Sequence, residues 1–172
     1  MKTMSKIQKI KQLGQSRGQK QEEISIQEVY SLWDMLVARY EVIETTNVLE
    51  NFTRDDDLKW ILSNGLNFLQ KQTEQLEKLL DQYGIPMPYK PPENATSTLN
   101  VEIITDKFIY KHVLLGIQRF LPKHLAAFIK STSPTTRQMF KEYLTKEIDL
   151  YDKLVMYGNT KGYLDLPPVY RS

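Results

Sequence analysis

Few residues of this 172-residue chain have side chains suited to chemistry at a buried site. The sequence has no cysteine and two histidines, His112 and His124, which excludes a thiolate metal site, a cysteine nucleophile and a disulfide. Two carboxylates fall between apolar positions one helical turn before and after them, Glu44 and Glu147. Both are therefore expected on the inward side of their helices, where two carboxylates could hold a hard cation or share a proton.

A di-iron centre is the best-defined chemistry of a four-helix bundle. It takes one Glu from each of two helices and a Glu-x-x-His motif from each of the other two. The residues three positions before the histidines are Ile109 and Leu121, so the motif is absent. We therefore predict no metal site and no cofactor, and keep three candidate ligands without a motif: Glu44, Glu147 and His124. The alternative is that these carboxylates bond to a lysine or a tyrosine and that His124 is a satisfied core residue.

The sequence also lacks the motifs of covalent and nucleotide chemistry. It contains no Gly-rich phosphate loop, no Walker pattern and no Gly-x-Ser-x-Gly nucleophile elbow. We therefore predict no catalytic residues and a protein that is not an enzyme.

Helices must position any such site. Apolar residues recur at three- and four-residue steps, which predicts four long helices over residues of about 26–51, 54–83, 106–131 and 134–157. Start and stop signals agree with these bounds: Ser25 and Glu28 form a capping box, Gly84 is a C-terminal stop, and Ser133 precedes a proline. Pro122 lies within the third helix and predicts a kink or break near residues 118–121.

The connection between the second and third helices is long and rich in proline. It covers residues 84–104 and contains Pro86, Pro88, Pro91 and Pro92. An extended proline-rich chain rises about 3.1 Å per residue, so about 12 of these residues span a helix of about 25 residues. The third helix can therefore begin at the same end as the second. We predict an all-α, ferritin-like four-helix bundle with a long crossover between helices 2 and 3.

Charge divides the chain into an arm and a body. Residues 1–21 carry six basic side chains and no acid, whereas the whole chain has a net charge of +2. The body is therefore mildly acidic and does not attract nucleic acid in general, although binding of nucleic acid by the arm stays an alternative.

We predict a basic, flexible arm over 1–24, the bundle over 25–160 and an extended tail over 161–172. Because no segment is apolar enough for a membrane span or a secretory signal, we expect a cytoplasmic protein.

Several short motifs resemble the family of spore coat protein CotF and its relatives in spore-forming, Bacillus-type bacteria. The similarity covers about residues 25–170, and its motifs are Leu32-Trp33-Asp34, Arg39-Tyr40, residues 51–59, residues 76–80, residues 83–88 and residues 161–168. The resemblance implies a ferritin-like bundle with a role in the spore coat and no catalytic residues. Some members of that family contain two bundles where this chain has one, which implies that a second copy supplies the other half.

Two functional hypotheses follow. The first is a non-enzymatic structural or interaction protein, a self-associating bundle whose partners are a second copy, in a dimer, and other spore coat proteins. It rests on the broad apolar surface of the third helix and on the absence of a catalytic set. The alternative is a ferritin-like protein that binds a metal or a small ligand through Glu44, Glu147, nearby tyrosines and His124.

Overall fold

The computed structural model describes residues 16–91 and 102–166, and within these ranges all regular structure is helical. One short helix precedes four long ones: α1 (Arg17–Glu22), α2 (Ile26–Phe52), α3 (Asp56–Tyr83), α4 (Asp106–Lys130) and α5 (Pro134–Lys161). The described helices have no apolar stretch of the length and character that a membrane span requires.

Hydrogen bonds between the starts of α3 and α4 define the topology. Asp106, the first residue of α4, accepts from the backbone amides of Arg54 at 2.8 Å and Asp55 at 3.2 Å, which immediately precede α3. The two helices therefore begin at the same end of the bundle and run parallel. Because α3 ends at the opposite end of the bundle from the start of α4, the predicted crossover between the second and third long helices is confirmed.

Local signals in the sequence explain where the long helices begin and end. Ser25 and Glu28 form the predicted capping box at the start of α2, and Asp55 caps α3 by accepting from the Leu58 amide at 3.0 Å. Gly84 ends α3 in the left-handed conformation with φ 65°, which glycine adopts without steric cost.

Pro122 does not break α4, so of the predicted kink or break the break does not occur. The helix runs without interruption from Asp106 to Lys130 with Pro122 inside it. Both Pro122 and Gln118 are exposed, so the Gln118 carbonyl, which loses its amide donor to the proline, lies on the solvent side of the helix. Water can satisfy that carbonyl, and the helix tolerates the missing bond.

The structure also differs from the prediction at the start of the bundle. Residues 16–24, which we assigned to the flexible arm, contain α1, and the Gln21 side chain donates to the Tyr83 carbonyl at 2.7 Å. At the other end, Gly162 caps α5 and Tyr163 packs against the rings of Tyr110 and Tyr157. The rest of the arm, residues 1–15, and the end of the predicted tail, residues 167–172, lie outside the described residues.

Glu28 joins the start of α2 to the start of α5. Its buried carboxylate accepts from the amide and hydroxyl of Ser25, from the Thr132 hydroxyl at 3.0 Å and from the Ser133 amide at 2.8 Å. Burial alone would raise the pKa of Glu28, but these donors outweigh it and lower the pKa below 4.5. The carboxylate therefore contributes stability above its unfolded pKa that is lost as pH falls through the lower folded pKa.

We expect Glu28→Gln to reduce the free energy of unfolding by about 2 kcal/mol at pH 7. The glutamine amide has an NH2 group where the carboxylate has an acceptor oxygen, and this group would face the N–H and O–H donors that the carboxylate now binds. The difference from wild type should shrink as pH falls from the unfolded pKa of Glu28 through its lower folded pKa, where the native carboxylate also takes up a proton. Urea unfolding at several pH values measures both effects. Glu44→Gln, at an exposed position, is the matched control and should change stability by less than about 0.5 kcal/mol.

Candidate functional site

Three ionisable side chains from three helices meet in the centre of the bundle. Arg39 on α2 donates from Nη2 to Glu147 Oε2 on α5 at 2.8 Å. His124 on α4 places Nε2 at 2.7 Å from the same carboxylate oxygen and at 2.6 Å from Arg39 Nη2. All three side chains are buried, with exposed fractions of 0 to 3%. We call this group the central cluster.

Burial and charge together set the protonation of the central cluster. Burial would raise the pKa of Glu147, but the hydrogen bond from His124 and the positive charge of Arg39 lower it, so the carboxylate is ionised at neutral pH. Burial lowers the pKa of His124, and the charge of Arg39 lowers it further, against the opposing effect of Glu147. The imidazole is therefore neutral at pH 7. The central cluster combines one positive and one negative charge and has no net charge.

Aromatic rings pack around the central cluster. The Arg39 guanidinium lies over the Phe120 ring, with Cζ 4.1 Å from the ring centroid. The His124 ring contacts Phe120, Phe140 and Tyr143 at centroid distances of 5.7 to 6.4 Å. In this apolar environment an ion pair gains a stronger attraction, but each ion also costs more to bury.

These residues do not fit the metal site that a ferritin-like bundle suggests. The described residues contain no group of three or more His, Cys, Asp or Glu side chains that could hold a metal ion. Glu147 and His124, two of the three candidate ligands, do meet, but the guanidinium of Arg39 lies against both of them. A cation bound there would be repelled by this fixed positive charge.

The third candidate ligand, Glu44, is exposed, so the expectation that it points inward was wrong. Glu44 lines a groove between α2 and α3 together with Tyr40, Glu77 and Lys90. Tyr40, one turn earlier, lies at the edge of the buried face of α2, and its hydroxyl donates to Glu77 at 2.7 Å. One further turn along that edge brings Glu44 into solvent, away from Glu147.

Arg39 was not among the predicted site residues, although a signal for it is present in the sequence. Arg39 follows Leu32 and Leu36 at steps of four and three, and all three are buried on the same face of α2. A basic residue within an apolar stripe requires a buried acid as its partner, because an unpaired buried charge is too costly. Glu147 on the stripe of α5 was the available partner.

A cavity of about 390 Å³ lies beside the central cluster. All four long helices line it, and most lining side chains are apolar, including Leu49, Ile61, Val113 and Leu154. Arg39 and Glu147 also line the cavity. The feature is thus an apolar chamber with an ion pair in its wall, which is the composition of many small-molecule sites.

The architecture and this site define the class: a ferritin-like helical bundle whose centre holds an ion-pair cluster. A crystal structure of a two-domain protein from Anabaena variabilis ATCC 29413, containing DJ-1/ThiJ/PfpI-like and ferritin-like domains, has a TM-score of 0.64 and 19% identity. The match covers 92% of this chain and 41% of that one. The sequence profile of a protein family of unknown function, DUF3231, matches residues 12–172, and the chain belongs to that family.

Two Bacillus proteins are similar over most of their length. The uncharacterized protein YvdQ of Bacillus subtilis (strain 168) is 24% identical over 147 residues, which are 83% of this chain and 86% of that protein. The crystal structure of "a putative spore coat protein" from Bacillus halodurans C-125 has a TM-score of 0.81 and 23% identity, over 87% of this chain and 96% of that one. The fold is therefore shared along nearly the whole chain.

Proposed function

We propose that this protein is a non-enzymatic structural component of the spore coat that assembles through the outer face of α4. The observation that carries the proposal is a row of exposed apolar side chains along this helix at seven-residue intervals: Phe108, Leu115, Pro122 and Ile129. We call this row the α4 stripe. The likeness to a protein described as a spore coat protein supports the cellular role.

The geometry of the α4 stripe fits a second copy of this chain. Exposed fractions are 46% for Phe108, 51% for Leu115 and 70% for Ile129, and the row extends over about 31 Å of helix. Leu125, 45% exposed, widens it. Apolar residues repeated every seven positions stay on one face of a helix and supply one of the two apolar positions of each heptad in a seam between two helices. Two copies related by a twofold axis would bury both stripes at once.

The central cluster supports a role without catalysis. Glu147 Oε2 and His124 Nε2, from the buried acid and base, contact each other and Arg39 Nη2, so these atoms are engaged within the protein. The side chains instead tie α2, α4 and α5 together. In this proposal the bundle is a rigid unit and its outer surface carries the function.

Self-association can be tested with charge substitutions on the α4 stripe. We expect the double variant L115E/I129E to be a monomer where wild type is a dimer, because burying four new carboxylates at the seam is costly. Sedimentation velocity at several concentrations measures the change. Ile148→Glu on α5, also at a half-exposed apolar position, should leave the dimer intact. A wild-type protein that stays monomeric at high concentration would contradict the proposal.

The cellular role needs a separate experiment. A fluorescent fusion produced in sporulating Bacillus subtilis should collect at the periphery of the developing spore, and the L115E/I129E fusion should collect there less. Wild-type fluorescence spread evenly through the mother cell would argue against a coat protein.

A further inference from the structure

We propose that the cavity beside the central cluster binds an uncharged, elongated apolar molecule that carries one hydrogen-bond acceptor, such as an ester or a ketone. This inference does not depend on the proposed assembly, because it concerns the interior of one copy; Leu115 alone belongs both to the α4 stripe and to the cavity lining.

The dimensions of the cavity fit an elongated molecule. Its lining residues on α2 run from Arg39 to Leu49, a distance of about 15 Å along the helix axis. A volume of about 390 Å³ lies within the range of small-molecule sites. Lining residues at the entrance are exposed and come from α2 and α4, among them Glu41, Thr45, His112 and Arg119. A ligand can therefore enter from solvent between these two helices.

Two glycines keep the cavity wide. Gly65 in α3 and Gly116 in α4 both line it, and a Cβ atom added at either would meet no atom within 4 Å. Glycine in the interior of a helix costs about 1 kcal/mol of stability relative to alanine. Neither helix needs a glycine for its own geometry, since neither glycine has a positive φ. Because Gly65 and Gly116 both lack a side chain, they leave open space in the same cavity.

The polar end of the cavity offers one unused donor. Arg39 lines the cavity, and its buried Nε has no hydrogen-bond partner among the described residues. An unpaired buried N–H costs free energy that an acceptor on a ligand would recover. This donor fixes the kind of polar group that the ligand should present.

The charge of the central cluster selects an uncharged ligand. The positive charge of Arg39 is already balanced by Glu147, 2.8 Å away, so a carboxylate entering the cavity would meet attraction and repulsion of similar size. The cost of removing that carboxylate from water would then have no compensation. An ester or ketone oxygen accepts the same hydrogen bond at a much smaller desolvation cost.

Methyl decanoate and decanoate are matched probes, because they share an apolar chain and differ in charge. Titration calorimetry on the full chain at pH 7 should show saturable binding of methyl decanoate and at least tenfold weaker binding of decanoate. No saturable binding of methyl decanoate would overturn the proposal. Equal or tighter binding of decanoate would overturn the assignment of an uncharged ligand.

Gly116→Leu should fill the chamber and weaken binding of methyl decanoate at least tenfold. Ala126→Leu places the same side chain at an exposed position of α4 outside the cavity and should leave binding unchanged. Similar binding by wild type and Gly116→Leu would place the ligand elsewhere and overturn the proposal. Sedimentation of the same samples keeps the two proposals apart, because Gly116→Leu should not alter self-association.

Nitrogen-15 spectra of the arginine side chains test the polar contact directly. On adding methyl decanoate, the Nε–H resonance of Arg39 should shift and its exchange with water should slow. An unchanged Arg39 resonance at saturation would contradict a hydrogen bond from Nε to the ligand.

Discussion

Replacing Glu147 with methionine is expected to lower the free energy of unfolding by about 3–5 kcal/mol, the usual cost of removing one partner from a buried ion pair. The substitution keeps most of the side-chain volume but leaves the Arg39 guanidinium, 1% exposed, without a counter-charge. His124 cannot replace the lost negative charge, because an imidazole is either neutral or positively charged. Urea unfolding at pH 7, followed by circular dichroism, measures the loss.

The double variant R39M/E147M separates the cost of an unpaired charge from the value of the pair. Because it removes both charges together, it should be more stable than either single variant, even though His124 loses its partners. Asp34→Asn is a surface control: it breaks the half-exposed pair with Lys123, 2.8 Å apart, and should cost less than about 1 kcal/mol. Additive losses in the double variant would show that the pair is not coupled.

Gly158→Ala is the second substitution for which we expect a large loss of stability. A Cβ atom at Gly158 would overlap the hydroxyl and ring of Tyr110, which is completely buried. Neighbouring rings of Tyr157 and Tyr163, with centroids 5.9 and 5.8 Å away, restrict its movement. Overpacking of this kind costs about 1–3 kcal/mol, although alanine favours the helix by itself.

Gly116→Ala is the matched control, because its new Cβ meets open space. It should raise stability by about 0.5–1 kcal/mol through helix propensity alone. The two substitutions are chemically identical, so opposite signs in urea unfolding would isolate the effect of Tyr110. A double variant, G158A/Y110L, should lose less than the sum of its single variants. Equal effects of the two alanines would contradict the overlap.

Local signals made the architecture predictable from the sequence. The capping box at Ser25, the stop at Gly84 and the Ser133–Pro134 start each depend on residues within one or two helical turns. The crossover was predictable from the length of the connection between the second and third long helices, because an extended proline-rich segment of that length can return along a helix. None of these signals requires knowledge of which helices touch.

The site was less predictable because it depends on how each helix is rotated about its axis. Glu44 and Glu147 had equivalent positions between apolar neighbours, yet only Glu147 is buried. When the apolar stripe of a helix is inferred from residue spacing alone, its edges are uncertain by about one residue, which corresponds to 100° of rotation about the helix axis. The pairing of Arg39 with Glu147 joins residues 108 positions apart, and no local pattern encodes it. Likewise, the apolar residues of α4 predicted a broad contact surface but not which of them would remain exposed.

The crossover would also allow two copies of this protein to combine in another way. It links two hairpins, α2 with α3 and α4 with α5. Two bonded pairs, Glu28 with Ser133 and Arg39 with Glu147, each join one hairpin to the other, so the two members of each pair lie before and after the crossover in the sequence. A hairpin therefore offers a neighbouring chain the same bonds that it offers its own. Exchange of hairpins through this tether would give an intertwined dimer without any new contact, and separating its chains would require unfolding.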